Sequence, residues 1–68
     1  MKWVFVRSKS VRSIGYDQEN NQMGVEFTRG ATYLYDDVSE GEFDLIYNSE
    51  SIGKAVRELL QYKQYTQI

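Results

Sequence analysis

Ser51-Ile52-Gly53-Lys54, with Arg57 one turn further on, has the residue types that hold an anion at the start of a helix. A helix N-terminus presents unpaired N–H groups and a partial positive charge. Gly53 permits close backbone approach, and Lys54 and Arg57 add point charges. The same residues also read as an ordinary serine N-cap followed by solvated cations. They do not form a Walker A loop. Arg7, Ser8, Ser10 and Arg12, with Lys9 among them, are a second set of phosphate-contact candidates, because Arg and Ser supply donors that nucleic-acid backbones receive. Tyr33-Leu34-Tyr35 is the third: two rings at strand spacing can stack bases or fill a core.

Other chemistries are thinly provided for. Histidine, cysteine and proline are absent, which removes imidazole and thiol catalysis, Cys/His zinc sites and disulfides. Asp36-Asp37-x-x-Glu40 offers oxygen ligands, but fewer than an all-protein Ca²⁺ site needs. It reads instead as a polar turn running into the acidic first turn of a helix. Carboxylate acid–base work requires a cleft that shifts a pKa, and 68 residues give little depth for one. A non-enzymatic protein without metal or cofactor is expected.

The elements that must position these residues follow from hydrophobic period. Trp3-Val4-Phe5-Val6 is a short apolar run, and Val11, Ile14 and Tyr16 resume after a Ser- and Arg-rich connection; both read as β-structure. Asp17–Asn21 gathers turn-forming residues. Met23, Val25 and Phe27 alternate with Gln22, Gly24, Glu26 and Thr28, the period of a half-buried strand. Arg29-Gly30 marks a turn before Ala31–Tyr35, a further strand. If that turn is a two-residue loop, Tyr33 and Tyr35 face away from Met23, Val25 and Phe27, and Gly24 leaves room for a ring. A three-residue loop turns both tyrosines inward.

After Asp36-Asp37 the period becomes helical. Ser39 and Glu42 form a capping box, Val38 and Phe43 a hydrophobic staple, and Phe43, Ile46 and Tyr47 one apolar face. Asn48-Ser49 closes that helix. A second starts near Ser49 or Ser51, with Ile52, Val56, Leu59 and Leu60 on its inner face and Lys54, Arg57 and Gln61 outside. Tyr62–Ile68 extends this helix or frays. The expected fold is α+β: a small antiparallel meander of three to four strands followed by two α-helices packed on one face, forming a single domain over residues 1–68.

Residues 1–13 carry Lys2, Arg7, Lys9 and Arg12 without an acid, whereas residues 31–50 carry Asp36, Asp37, Glu40, Glu42, Asp44 and Glu50 without a base. A pI near 4.9 argues against a general sequence-independent nucleic-acid binder but leaves room for a small basic patch. Four consecutive apolar residues before Arg7 are too few for a signal-peptide core or a membrane span, so a cytoplasmic location is expected.

Ser8, Ser10, Ile14-Gly15-Tyr16-Asp17, Met23-x-Val25-x-Phe27, Gly30, Tyr33-x-Tyr35, Val38 and Ser51-x-Gly53-Lys54 together resemble the KTSC domain, from about Val6 to about Val56. The sequence departs from the family's pattern at Ser39, where the family often has proline, and in its longer second helix. The resemblance implies a module found at the end of some lysyl-tRNA synthetases and as single-domain proteins in bacteria and phages. It implies no established activity, and the synthetase context suggests RNA.

Two functions are therefore expected to compete. One is binding of a phosphate-bearing ligand, an RNA segment or a nucleotide, in a homo-oligomer whose interfaces enlarge the pocket. A phage-type sponge for a nucleotide signal is one form of it. The other is an acidic protein-interaction module that uses Asp36–Glu50 against a basic partner.

Overall fold

The computed structural model describes residues 1–68, and its sheet is a continuous antiparallel array. Strand β1 spans Lys2–Phe5, β2 Val11–Asp17, β3 Gln22–Phe27 and β4 Thr32–Tyr35. Helices α1, Glu40–Tyr47, and α2, Ile52–Leu60, follow, and β5, Tyr65–Gln67, returns to the sheet. The strand order is β1-β2-β3-β4-β5. No helix is long and apolar enough to cross a membrane.

Each turn has a local cause. Between β2 and β3 the Asp17 carboxylate accepts from the Glu19 and Asn20 amides at 3.0 and 3.3 Å and from the Asn20 side chain at 2.8 Å. The side-chain bond from Asn20 is the main reason the Asp17 carboxyl is held below its usual pKa. Asn21 then adopts φ +51°, a conformation asparagine tolerates.

Between β3 and β4 the loop has three residues, Thr28-Arg29-Gly30, closed by Phe27 N–H donating to Ala31 O at 2.8 Å, with Gly30 at φ +103°. Val25 consequently faces Tyr33 and Met23 faces Tyr35. Both tyrosines lie on the helix side of the sheet. Residues directly opposite share a face, which rules out the two-residue loop and the outward tyrosine platform.

The space over Gly24 is taken by another ring. Gly15 and Gly24 pair across β2 and β3 on the open face, and a Cβ on Gly24 would overlap the Trp3 indole. On the covered face Val11, Ile14, Met23 and Val25 meet Val38, Ile46, Ile52, Val56 and Leu60 to form the core.

The helix starts follow the capping chemistry. Ser39 Oγ accepts from the Glu42 amide at 3.1 Å and the Glu42 carboxylate accepts from the Ser39 amide at 3.0 Å. Ser51 caps α2 by accepting from the Lys54 amide. Asn48 closes α1, its amide and side chain both donating to Asp44 O.

The C-terminal segment corrects the expectation that Tyr62–Ile68 extends the helix or frays. Helix α2 stops at Leu60, and β5 pairs antiparallel with β4, Tyr65 opposite Tyr35 and Gln67 opposite Tyr33. The sheet thus has five strands rather than three to four. A three-residue strand carries no readable alternation of its own; it forms because β4 offers an unpaired edge. Lys63 secures the return by donating to Asp37 O at 2.6 Å and pairing with the Glu42 carboxylate at 3.2 Å.

Two outcomes follow for stability. Ser39→Ala lowers it by about 1 kcal/mol, read from the urea midpoint at constant slope. The Ser39 amide bond, aided by Lys63, depresses the Glu42 pKa from its ordinary 4.5. Its contribution is therefore complete above that value and is lost as pH falls through the folded pKa. Thermal midpoints decline over this acid range, and Glu42→Gln flattens the decline.

Candidate anion-binding site

The connection Val6–Ser10 crosses from β1 to β2 against the start of α2. Ser8 Oγ accepts from the Ser10 and Val11 amides, both at 3.3 Å, which folds the connection into a tight serine turn. Thr28 ties it to the β3–β4 loop: its amide donates to Ser10 O and its hydroxyl to Lys9 O, each at 2.9 Å. A Cβ on Gly53 would stand 2.5 Å from Ser10 Oγ and 3.3 Å from Ser8 Oγ. Glycine at 53 therefore lets the serine turn rest directly on the helix.

This contact creates a shallow cleft of about 420 Å³ lined by Arg7, Ser8, Lys9 and Ser10 from the connection and by Glu50 through Lys54, with Arg57, from the helix. Two separate sequence candidates become one site: Arg7, Ser8, Ser10, Ser51, Gly53, Lys54 and Arg57 share its wall. The first backbone bond of α2 runs from the Ala55 amide to Ser51 O at 2.9 Å. Amides before such a bond are those that a helix leaves to caps, water or ligands.

The chain's two ion pairs are Lys63–Glu42 and an exposed, long Lys54–Glu58 contact at 3.8 Å. Arg7, Lys9 and Arg57 are in neither. Glu50 is the one carboxylate on the cleft wall.

Arg12 is not part of this site. It occupies the bulge between Val11 and Ser13, exposed and away from the cleft, because the register shift displaces it from the regular alternation of β2. Tyr33 and Tyr35 are also outside it. They belong to an aromatic group with Phe27 and Tyr65, in which Tyr33 lies 5.6 Å from Phe27 and 5.0 Å from Tyr65 by ring centroid. The Arg29 guanidinium caps that group, 4.7 Å over Phe27 and donating to Tyr33 Oη.

A second cleft opens between this group and α2, lined by Phe27, Tyr35, Tyr65, Val56, Leu60, Arg57 and Gln61. Burial first, then the neighbouring Tyr33 and Tyr65, raises the Tyr35 pKa from its ordinary 10.0. Sequence reasoning placed Gln61 on the outer face of the second helix and missed Tyr65, a tyrosine in a segment without period that acquires meaning only once β5 is paired.

A five-stranded antiparallel meander closed by a C-terminal strand, with two helices on one face and a serine turn seated on a helix glycine, defines a small α+β domain with a loop–helix cleft. The chain belongs to the KTSC domain family, whose model matches residues 7–65 and so reaches past the resemblance into β5. It is 34% identical over 65 residues to an uncharacterized protein of Stutzerimonas stutzeri, covering 96% of this chain and 92% of that one. To a protein of Tsukamurella paurometabola it is 36% identical over 56 residues, 82% and 84% of the two chains. The crystal structure of a KTSC domain protein from Yersinia pestis superposes with a TM-score of 0.92 at 26% identity, covering 98% of this chain and 96% of the other.

The Gly53 contact carries a prediction. Gly53→Val pushes the serine turn off α2 and costs about 1–3 kcal/mol, as overpacking does. Amide shifts in the NMR spectrum are expected at Ser8–Val11 and absent from α1.

Proposed function

We propose that this KTSC domain is a non-enzymatic binding module for a phosphate-bearing ligand, an RNA segment or a nucleotide. One observation carries the reading: hydroxyls and cations from two distant stretches of chain line the same cleft, at the start of a nine-residue helix, with Arg7, Lys9 and Arg57 outside any ion pair. Unpaired cations beside a helix N-terminus and hydroxyl donors suit a phosphate by charge and by hydrogen bonding.

The module works in the cytoplasm in this reading, as a homo-oligomer, and sequestration of a nucleotide signal is one form its activity takes. Exposed Trp3, Phe5 and Ile68 offer apolar surface for association. The acidic protein-interaction reading draws less support. Along Asp36–Glu50, Asp36 accepts from Gln22 at 2.8 Å and Glu42 holds Lys63, so two of the six acids have duties inside the fold.

Titration calorimetry with inorganic tripolyphosphate and with a short single-stranded RNA tests the reading. Lys54→Ala with Arg57→Ala weakens both by tenfold or more, on the order expected for two charged contacts, and lowers the salt slope for RNA by about one per cation removed. Glu50→Gln tightens both, and Arg12→Ala changes neither. Unaltered affinity in the double variant overturns the assignment.

A further inference from the structure

The aromatic cleft beside the anion site has the composition of a slot for a flat ring. Its floor is Val56 and Leu60, its walls are the Phe27, Tyr35 and Tyr65 rings, and its polar groups are Arg57 and Gln61, with no carboxylate among the lining residues. At about 370 Å³ it lies within the range of small-ligand pockets.

Tyr65 is the informative wall. It is held by Tyr33 at 5.0 Å and Tyr35 at 5.7 Å, and its backbone is paired to β4, yet 60% of the residue stays exposed. As a residue of the terminal edge strand it keeps part of its ring open to solvent. A ring fixed in place but left open presents a stacking surface whose ordering cost was met on folding.

Arg57 connects this cleft to the anion site, since it lines both. An anion with an attached aromatic ring therefore fits the pair of clefts by charge and by shape. We infer that the aromatic cleft is a base slot: the ligand carries a nucleoside phosphate unit whose base stacks on Tyr65 against α2 while its phosphate lies toward Arg57. Gln61, with both a donor and an acceptor, sits where it can pair with a base edge. This inference rests on the phosphate-binding reading and narrows it. A base-free phosphate would use only half of the surface.

The test compares AMP with ribose 5-phosphate, which keeps the sugar and phosphate and lacks the base, and a five-nucleotide RNA with its abasic counterpart. For either pair the base is expected to add about five- to 150-fold in affinity, the span of base–aromatic stacking. Tyr65→Leu is expected to erase that difference while leaving ribose 5-phosphate and the abasic strand unchanged, with circular dichroism reporting the fold. NMR titration of the unaltered protein, which does not depend on the variant folding, is expected to shift Leu60, Gln61 and Tyr65 with the base-bearing ligand only.

A difference in the AMP pair identifies a free nucleotide as source, and one confined to the RNA pair identifies a polymer. Equal affinities within both pairs, or base-dependent shifts that bypass these three residues, overturn the base slot and leave the anion site standing. Failure of all four ligands and of tripolyphosphate to bind overturns the phosphate reading itself.

Discussion

Gly30 at φ +103° is the constraint on which the helix side of the molecule depends. No heavy atom lies within 4 Å of where its Cβ would be, so the restriction comes from the dihedral rather than from crowding. That dihedral closes the loop at three residues and sets Val25 against Tyr33 and Met23 against Tyr35. A loop shorter by one would send both tyrosines to the open face with Trp3 and turn Leu34 toward the helices. Because β5 takes its register from β4, Tyr65 inherits its place opposite Tyr35 from the same turn. The placement of Tyr35 and Tyr65 in the aromatic cleft is thus decided at a turn that neither ring touches, with Phe27 at its edge.

Gly53 serves a different need. Its position is crowded, and the absent side chain is what allows the Ser8–Ser10 turn to touch the helix. Two glycines therefore shape neighbouring clefts by unrelated means, one through backbone conformation and the other through contact distance. The opposite end of the helix layer is held by polar bonds. Tyr16 Oη donates to Val38 O at 2.7 Å, and Lys63 bridges Asp37 and Glu42 where the chain comes back toward β5. Burial, then Glu40, Glu42 and Asp17, raises the Tyr16 pKa, which keeps that phenol a donor.

Local signals were legible in proportion to how local their physics is. The capping box at Ser39–Glu42 could be read because both partners lie within one turn, and the α2 face because Ile52, Val56 and Leu60 repeat at helical spacing, although Leu59, read with them, is exposed at the face's margin. The turn at Asp17–Asn21 was readable for the same reason. Strand β5 was not, since its three residues depend on an edge thirty or more positions earlier in the chain. Candidate-site residues followed the same rule: Ser51, Gly53 and Lys54 declared themselves as a helix start, but their meeting with Arg7, Ser8 and Ser10 is a tertiary contact. Arg12 shows the limit in the other direction, because residue type and proximity in the chain grouped it with Arg7 and Ser10, whereas it sits exposed at the β2 bulge outside the cleft.

The pairing of Gly15 with Gly24 also has an optical consequence. Trp3, the chain's sole tryptophan, lies across that pair on the face of the sheet away from the helices. The residue is 39% exposed, and its ring lies over Gly24 beside the Met1 side chain rather than within the core. Selectively excited tryptophan fluorescence of this protein therefore reports the N-terminal strand and whatever touches the open face. A ligand held beside α2 is separated from the fluorophore by the thickness of the sheet, so an emission change on binding would signal a movement of the sheet itself or the approach of another subunit.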